Sequence, residues 1–190
     1  GAGGDGIAET PGGRLYVPYA LPGERVAVAP GRPAGDGRLA AALEWHTRSS
    51  ARVAAPCPLF AVCGGCAAQH MAQALYADWK RAIVVDALAR RGLDKVPVEA
   101  LRATPPGGRR RAEFAARKAR GAVEVGFHAR ASAQVVDLST CLVLRPSLLA
   151  LLPGLRQALA RAWPRRGQSD VLVTESATGL DLMFTGPAPS

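Results

Sequence analysis

Three of the four cysteines in this 190-residue chain fall within ten residues. They lie in Pro56-Cys57-Pro58-Leu59-Phe60-Ala61-Val62-Cys63-Gly64-Gly65-Cys66, and the fourth, Cys141, stands alone far downstream. The pattern is C-x5-C-x2-C plus one remote thiol. Three thiolates on one loop can take three corners of an inorganic cube, and a distant one can close the fourth. Gly64 and Gly65 let the backbone turn sharply, so that amide N–H groups can point at sulfur and stabilise a negatively charged cluster. Structural zinc more often uses two separate C-x2-C knuckles, and this chain has one. The spacing therefore favours an iron–sulfur cluster on Cys57, Cys63, Cys66 and Cys141, with structural zinc and unliganded thiols as alternatives. His46, His70 and His128 read as hydrogen-bonded packing residues rather than ligands.

A second chemistry is carried by charge. The chain has 24 Lys+Arg against 15 Asp+Glu, a formal net charge of +9, which suits a polyanionic partner such as nucleic acid. Coding bias is the bland alternative, because the only lysines are Lys80, Lys95 and Lys118 and arginine supplies the rest. Position decides between the two. Arg109-Arg110-Arg111 opens an expected strand that continues to Arg117, Lys118 and Arg120. With a two-residue period, Arg111, Glu113, Ala115 and Arg117 share one face. Such a strip can neutralise phosphates, or it can simply guard a strand edge against aggregation. Arg14 and Arg25, with Tyr16 and Tyr19, are further expected contacts, on a small barrel of the kind that often binds RNA across a strand face.

The elements that must position these groups read as α+β. Arg14–Pro18, Glu24–Val28 and Leu39–Leu43 have the grammar of short strands, with Leu21-Pro22-Gly23 as a turn, in an OB-like β-barrel whose first strand is missing. Gly1-Ala2-Gly3-Gly4-Asp5-Gly6 matches G-x-G-x-x-G literally, but no strand is expected before it and no helix after it, so it is not read as a dinucleotide loop. Residues 45–55 form a polar connector. Ala72–Arg91 is an expected helix with Leu75, Trp79 and Ile83 on one face and Gly92 closing it. Val98–Ala103, Arg111–Ala116, Val123–His128 and Gln134–Leu138 read as strands. Pro146–Trp163 reads as a helix, with Leu148, Leu152, Leu155 and Leu159 apolar and a kink or break at Pro153. Val171–Glu175 and Leu180–Phe184 flank a hairpin turn at Thr178-Gly179. Residues 1–44 are thus expected to be the barrel, 45–55 a linker and 56–186 a mixed α/β domain with the cysteine loop. Residues 186–190 read as a linker.

These residues together resemble the N-terminal half of the SAM-dependent RNA (uracil-5-)-methyltransferases, in the branch that methylates uridine in 23S ribosomal RNA. Gly6-Ile7-Ala8 and Tyr16-Val17-Pro18-Tyr19-Ala20-Leu21-Pro22-Gly23-Glu24-Arg25-Val26 are similar to that family's TRAM domain, an RNA-binding β-barrel. Cys57 to Cys66 with Gln69-His70 resembles its cluster loop, which implies Cys141 as the fourth ligand of a 4Fe–4S centre. Arg109-Arg110-Arg111-Ala112, Val125-Gly126-Phe127, Val135-Val136-Asp137-Leu138 and Cys141 to Pro146 resemble its central α/β domain. The resemblance implies a cytoplasmic, monomeric enzyme acting on structured RNA, 23S rRNA, with no membrane partner. It also implies a C-terminal domain, missing here, that binds S-adenosylmethionine and carries the nucleophilic cysteine. No catalytic or S-adenosylmethionine-binding residue is expected within these 190, and the chain alone is expected to recognise RNA without methylating it. Radical-SAM methylthiotransferases, which also join a TRAM barrel to a cluster, are a weaker match. Their loop is C-x3-C-x2-C, and Cys141 would fill their open iron site. A non-enzymatic zinc-containing RNA-binding protein is the third reading.

Overall fold

In the computed structural model, which describes residues 1–119, 121–163 and 166–186, the chain divides into two compact units. One comprises Gly1–Pro58 with Ala67–Arg102, the other Leu59–Cys66 with the chain from Ala103 onward. The architecture is α+β, with two sheets and two long helices among the described residues.

The first unit carries β1 (Gly6–Thr10), β2 (Gly13–Val17), β3 (Arg25–Ala34), β4 (Gly37–Thr47) and α1 (Gln73–Ala89). The sheet order is β1-β2-β4-β3, with β2 and β4 parallel and the other pairs antiparallel. Along the hydrogen-bonded ladder β1 and β3 are the two edges, and no β1–β3 pairing closes it among the described residues. β1 is a strand that the sequence pattern does not announce. It lies directly after the glycine-rich start, where Gly4 takes a positive φ of 88° and Gly6 pairs with Val17. β4 also runs three residues into the expected connector, to Thr47. Three register shifts between β3 and β4 mark bulges, one of them between Arg25 and Val26. Leu15, Val17 and Ala40 form the small core. In α1, Leu75 and Trp79 line a cavity of about 490 Å³ against residues of β1, β2 and β3, as their four-residue spacing predicts. Helix α1 stops at Ala89, and Gly92 closes it at φ 73° with its N–H on the Ala89 carbonyl.

Val98–Ala103 is not a strand. Pro97 removes a donor just before it and Pro105-Pro106 follow, which disfavours a ladder. The Val98 carbonyl instead accepts from Arg81 Nε at 3.0 Å.

The second unit is an antiparallel five-stranded sheet in the order β7-β6-β5-β8-β9: β5 (Arg111–Ala119), β6 (Ala122–His128), β7 (Val135–Asp137), β8 (Gly167–Glu175) and β9 (Leu180–Thr185). Helix α2 (Pro146–Ala162) covers one face. Leu148, Leu152, Leu155 and Leu159, all buried, pack with Trp163 on Ala112, Phe114, Ala116, Val125, Val171 and Val173. Pro146 sits at the helix start, where its missing N–H costs nothing. Of the expected kink or break at Pro153, the break does not occur, since Pro153 lies inside one continuous helix; burial of the leucine stripe outweighs the lost hydrogen bond. Asp137 Oδ1 accepts from Val125 N at 2.8 Å and from Arg156 Nη2 at 2.7 Å, which ties α2 to β7. Gly126 is required where β6 meets β7, because a Cβ there would lie 1.9 Å from the Val136 carbonyl oxygen. Of the expected linker at residues 186–190, residues 187–190 lie outside the described residues.

Candidate nucleic-acid interface and cysteine loop

The strand β5 alternates as its sequence requires. Ala112, Phe114 and Ala116 are buried against α2, and Arg111, Glu113 and Arg117 are exposed on the opposite face, with Ala115 buried between them. The register places Arg117 beside Glu124 on β6 and Gln168 on β8, and Ala115 beside Asp170. The middle of the strip therefore carries acid: Glu113 and Asp170 line a cleft of about 300 Å³ with Gly64, Gly65, Phe127 and His128. Positive charge concentrates at the mouth of β5. Arg109 and Arg110 are exposed there, while their backbones are pinned. Arg109 N donates to Val143 O at 2.9 Å, Arg145 N donates to Arg109 O at 3.0 Å, and Glu175 N donates to Arg110 O at 2.7 Å. A rigid backbone bearing free-ended guanidinium groups is well suited to phosphate contact.

Lys118 has a different occupation. Its ammonium donates to the carbonyls of Ala160, at 2.9 Å, and Trp163, capping the C-terminal end of α2. That is the favourable place for a cation on a helix dipole. Arg14 is likewise engaged, held by Glu9 at 2.7 Å and by Asp36, which raises its pKa further above the usual guanidinium range. Tyr16 donates its hydroxyl to Asp36. Arg25, at the start of β3, is exposed. Arg120 lies outside the described residues.

One constellation has no local signature in the sequence. Glu24, whose side chain is fully buried, accepts from Arg52 Nε and Nη2, both at 2.6 Å, and from the backbone N–H groups of Leu21 at 2.8 Å and Ser49 at 3.1 Å. Burial alone would push its pKa up, but these donors more than offset it and hold the carboxyl at about 2. Arg52 also donates to the Tyr19 carbonyl at 2.7 Å and lies 4.6 Å from the centre of the Trp45 ring. His70 is buried beside this cluster, edge-on to Tyr19 at 5.8 Å, and burial and the Arg52 charge lower its pKa. Glu24 and Arg52 are separated by 28 residues, so only the fold brings them together.

The cysteine loop is shaped by its glycines. Gly64 N donates to the His128 carbonyl at 2.9 Å, docking the loop on the end of β6, and Cys63 bridges to Ala129. A Cβ at Gly64 would come within 2.7 Å of the same carbonyl. Gly65 N–H points at Cys63 Sγ, 3.4 Å away, so one of the two expected amide–sulfur contacts is present and the other amide is used for docking. Cys141 packs against the same core as Leu59. Cys57 N donates to Gln69 Oε1 at 3.2 Å. All four cysteines are half-buried and without a disulfide. Their sulfur donors suit iron, but among the described residues no three His, Cys, Asp or Glu side chains are gathered as a metal site. No helix among the described residues is long and apolar enough to cross a membrane.

No family model matches the chain. Over 98% of its length it is 44% identical to a protein of Brucella suis biovar 1 (strain 1330) named an uncharacterized RNA methyltransferase. Over 93% it is 37% identical to a protein of Azoarcus sp. (strain BH72) named 23S rRNA (uracil(1939)-C(5))-methyltransferase RlmD. In fold, it superposes with a TM-score of 0.64 and 20% identity on the Pyrococcus abyssi tRNA (uracil-54, C5)-methyltransferase, solved with S-adenosyl-L-homocysteine, covering 98% of this chain and 45% of that one. The chain spans less than half the length of these proteins, 43% and 42% for the two sequence relatives. It is thus a relative of the RNA methyltransferases. More particularly, its relatives include the 23S rRNA uracil-C5 methyltransferases, so the resemblance carried by Cys57–Cys66 and Leu21–Val26 points to the right family.

Proposed function

We propose that this chain is the RNA-recognition part of a cytoplasmic, S-adenosylmethionine-dependent methyltransferase that modifies C5 of uridine in ribosomal RNA, with structured 23S rRNA as its partner. The observation that carries the reading is the 37% identity, over nearly the whole chain, to a protein named for that modification of 23S rRNA. The excess of positive charge and the exposed Arg109-Arg110-Arg111 at the mouth of β5 support it.

In this reading Arg109, Arg110, Arg111 and Arg117 of the second unit meet phosphates, and Arg25 is a separate contact on the first. Arg14 and Lys118 serve the fold, since carboxylates and helix carbonyls already hold them. The first sheet is read as the TRAM-like RNA-binding domain. Cys57, Cys63, Cys66 and Cys141 would hold a 4Fe–4S cluster, whose contribution is to order the loop and stabilise the fold, because uracil methylation by this route needs no electron transfer. Sulfur-only donors and the Gly65 amide directed at Cys63 favour that assignment. S-adenosylmethionine supplies the methyl group in the whole enzyme. No residue of these 190 is assigned to bind it or to attack the uracil, so the isolated chain is expected to bind RNA without methylating it.

The test is salt-titrated binding of the chain to a 23S rRNA fragment. Phosphate contacts release counterions, so affinity falls as salt rises. Saturable binding with a steep slope supports the reading. Absence of binding at low salt overturns it.

A further inference from the structure

The corner where β4 leaves the first sheet assembles an aromatic ring and three cations that play no part in recognition by β5. Trp45 stands outside the small core formed by Leu15, Val17 and Ala40. Its indole instead meets two guanidinium groups, Arg52 at 4.6 Å and Arg48 at 5.6 Å from the ring centre. The two cations differ in kind. Arg52 is locked by the buried Glu24 carboxylate and the Tyr19 carbonyl, and so holds a fixed cation against the ring. Arg48 is exposed, with no ion pair among the described residues. The bulge between Arg25↔Thr47 and Val26↔Trp45 leaves His46 without a partner across the ladder and puts exposed Arg25 on the rung next to Trp45.

From this arrangement we propose that Trp45 is a nucleobase-stacking platform, flanked by Arg25 and Arg48 as phosphate contacts for a single-stranded stretch of RNA. The inference rests on the RNA-recognition reading and names the residues that engage one unpaired segment. A half-buried indole on a rigid cationic base keeps its orientation in the absence of ligand, so little ordering is lost when a base stacks on it. Arg25 and Arg48 are both exposed and can meet phosphates, and the one buried carboxylate of the cluster is already neutralised by Arg52.

Fluorescence anisotropy of a short, uridine-rich single-stranded RNA, measured over a range of salt concentrations, tests this. Trp45→Ala should weaken binding roughly tenfold with the salt slope unchanged, because stacking neutralises no phosphate. Trp45→Phe should recover most of that loss. Arg25→Ala with Arg48→Ala should lower the slope by roughly 1.4, the single-strand value for two contacts. Circular dichroism checks that each variant folds. If Trp45→Ala does not fold, ultraviolet crosslinking of 5-iodouridine RNA to the wild-type chain decides: a crosslink at Trp45 supports the platform, and crosslinks confined to other peptides overturn it. Wild-type affinity in a folded Trp45→Ala variant refutes the platform and leaves RNA recognition standing. A wild-type chain that binds no RNA refutes both.

Discussion

Replacing Glu24 by Gln is the sharpest test of the buried pair in the first unit. The wild-type carboxyl, with four N–H donors on its two oxygens, titrates at about 2 instead of the ordinary 4.5. A tenfold difference in proton affinity between the folded and unfolded chains corresponds to about 1.4 kcal/mol, so the ionised carboxylate contributes on the order of 3 kcal/mol at neutral pH. The sign follows from the depressed value. The contribution is complete above pH 4.5 and is lost as pH falls towards 2, leaving about 1.4 kcal/mol at pH 3 and about 0.4 kcal/mol at pH 2. Glu24→Gln should therefore lower stability by about 3 kcal/mol at pH 7, a fall in Tm of roughly 12–24 °C for a domain of this size. At pH 3 the gap should shrink to less than half. Urea titrations of both proteins at the two pH values, followed by tryptophan fluorescence, measure it. His70, whose lowered pKa also makes acid destabilising, feels the Glu24 charge, which raises that pKa, so both proteins are compared in a His70→Asn background where this contribution drops out. A gap below about 1 kcal/mol at pH 7, or one that does not change between pH 7 and pH 3, would refute the reasoning.

The second unit offers two further tests. If the four cysteines hold the proposed cluster, anaerobically purified protein should carry about four irons per chain with labile sulfide, and Cys141→Ser should drop both to near zero; full iron loading in the variant removes Cys141 from the ligand set, and a wild-type chain without iron overturns the cluster. Gly126→Ala should destabilise this unit by roughly 3 kcal/mol, since the new Cβ would meet the Val136 carbonyl at 1.9 Å and the β6–β7 pairing must move. A thermal melt within about 1 kcal/mol of wild type would show that the strand pair yields more easily than its geometry implies.

What the sequence made legible was periodic. Leu148, Leu152, Leu155 and Leu159 specify the buried stripe of α2, and Ala112, Phe114 and Ala116 alternate with Arg111, Glu113 and Arg117, so helix, strand and the inward face follow directly. Thr178-Gly179 marks the β8–β9 turn, where Gly179 takes φ 146°. What was not legible depends on partners distant in sequence. β1 is short and exposed and begins beside a glycine-rich turn, so only its pairing with β2 identifies it. Glu24 and Arg52 find each other only through the fold. Lys118 has the sequence context of a basic strip, yet its target, the last carbonyls of α2, is more than forty residues away. In the same way, the acid that interrupts the strip comes partly from Asp170 across the sheet.

The most direct measurement for the whole account is the salt slope of 23S rRNA binding in the wild-type chain and in the Arg109→Ala, Arg110→Ala, Arg111→Ala triple variant. Three lost phosphate contacts should reduce the slope by roughly 2 to 3 and weaken binding most at low salt. An unchanged slope in a folded triple variant would contradict the claim that the mouth of β5 is where this chain meets RNA.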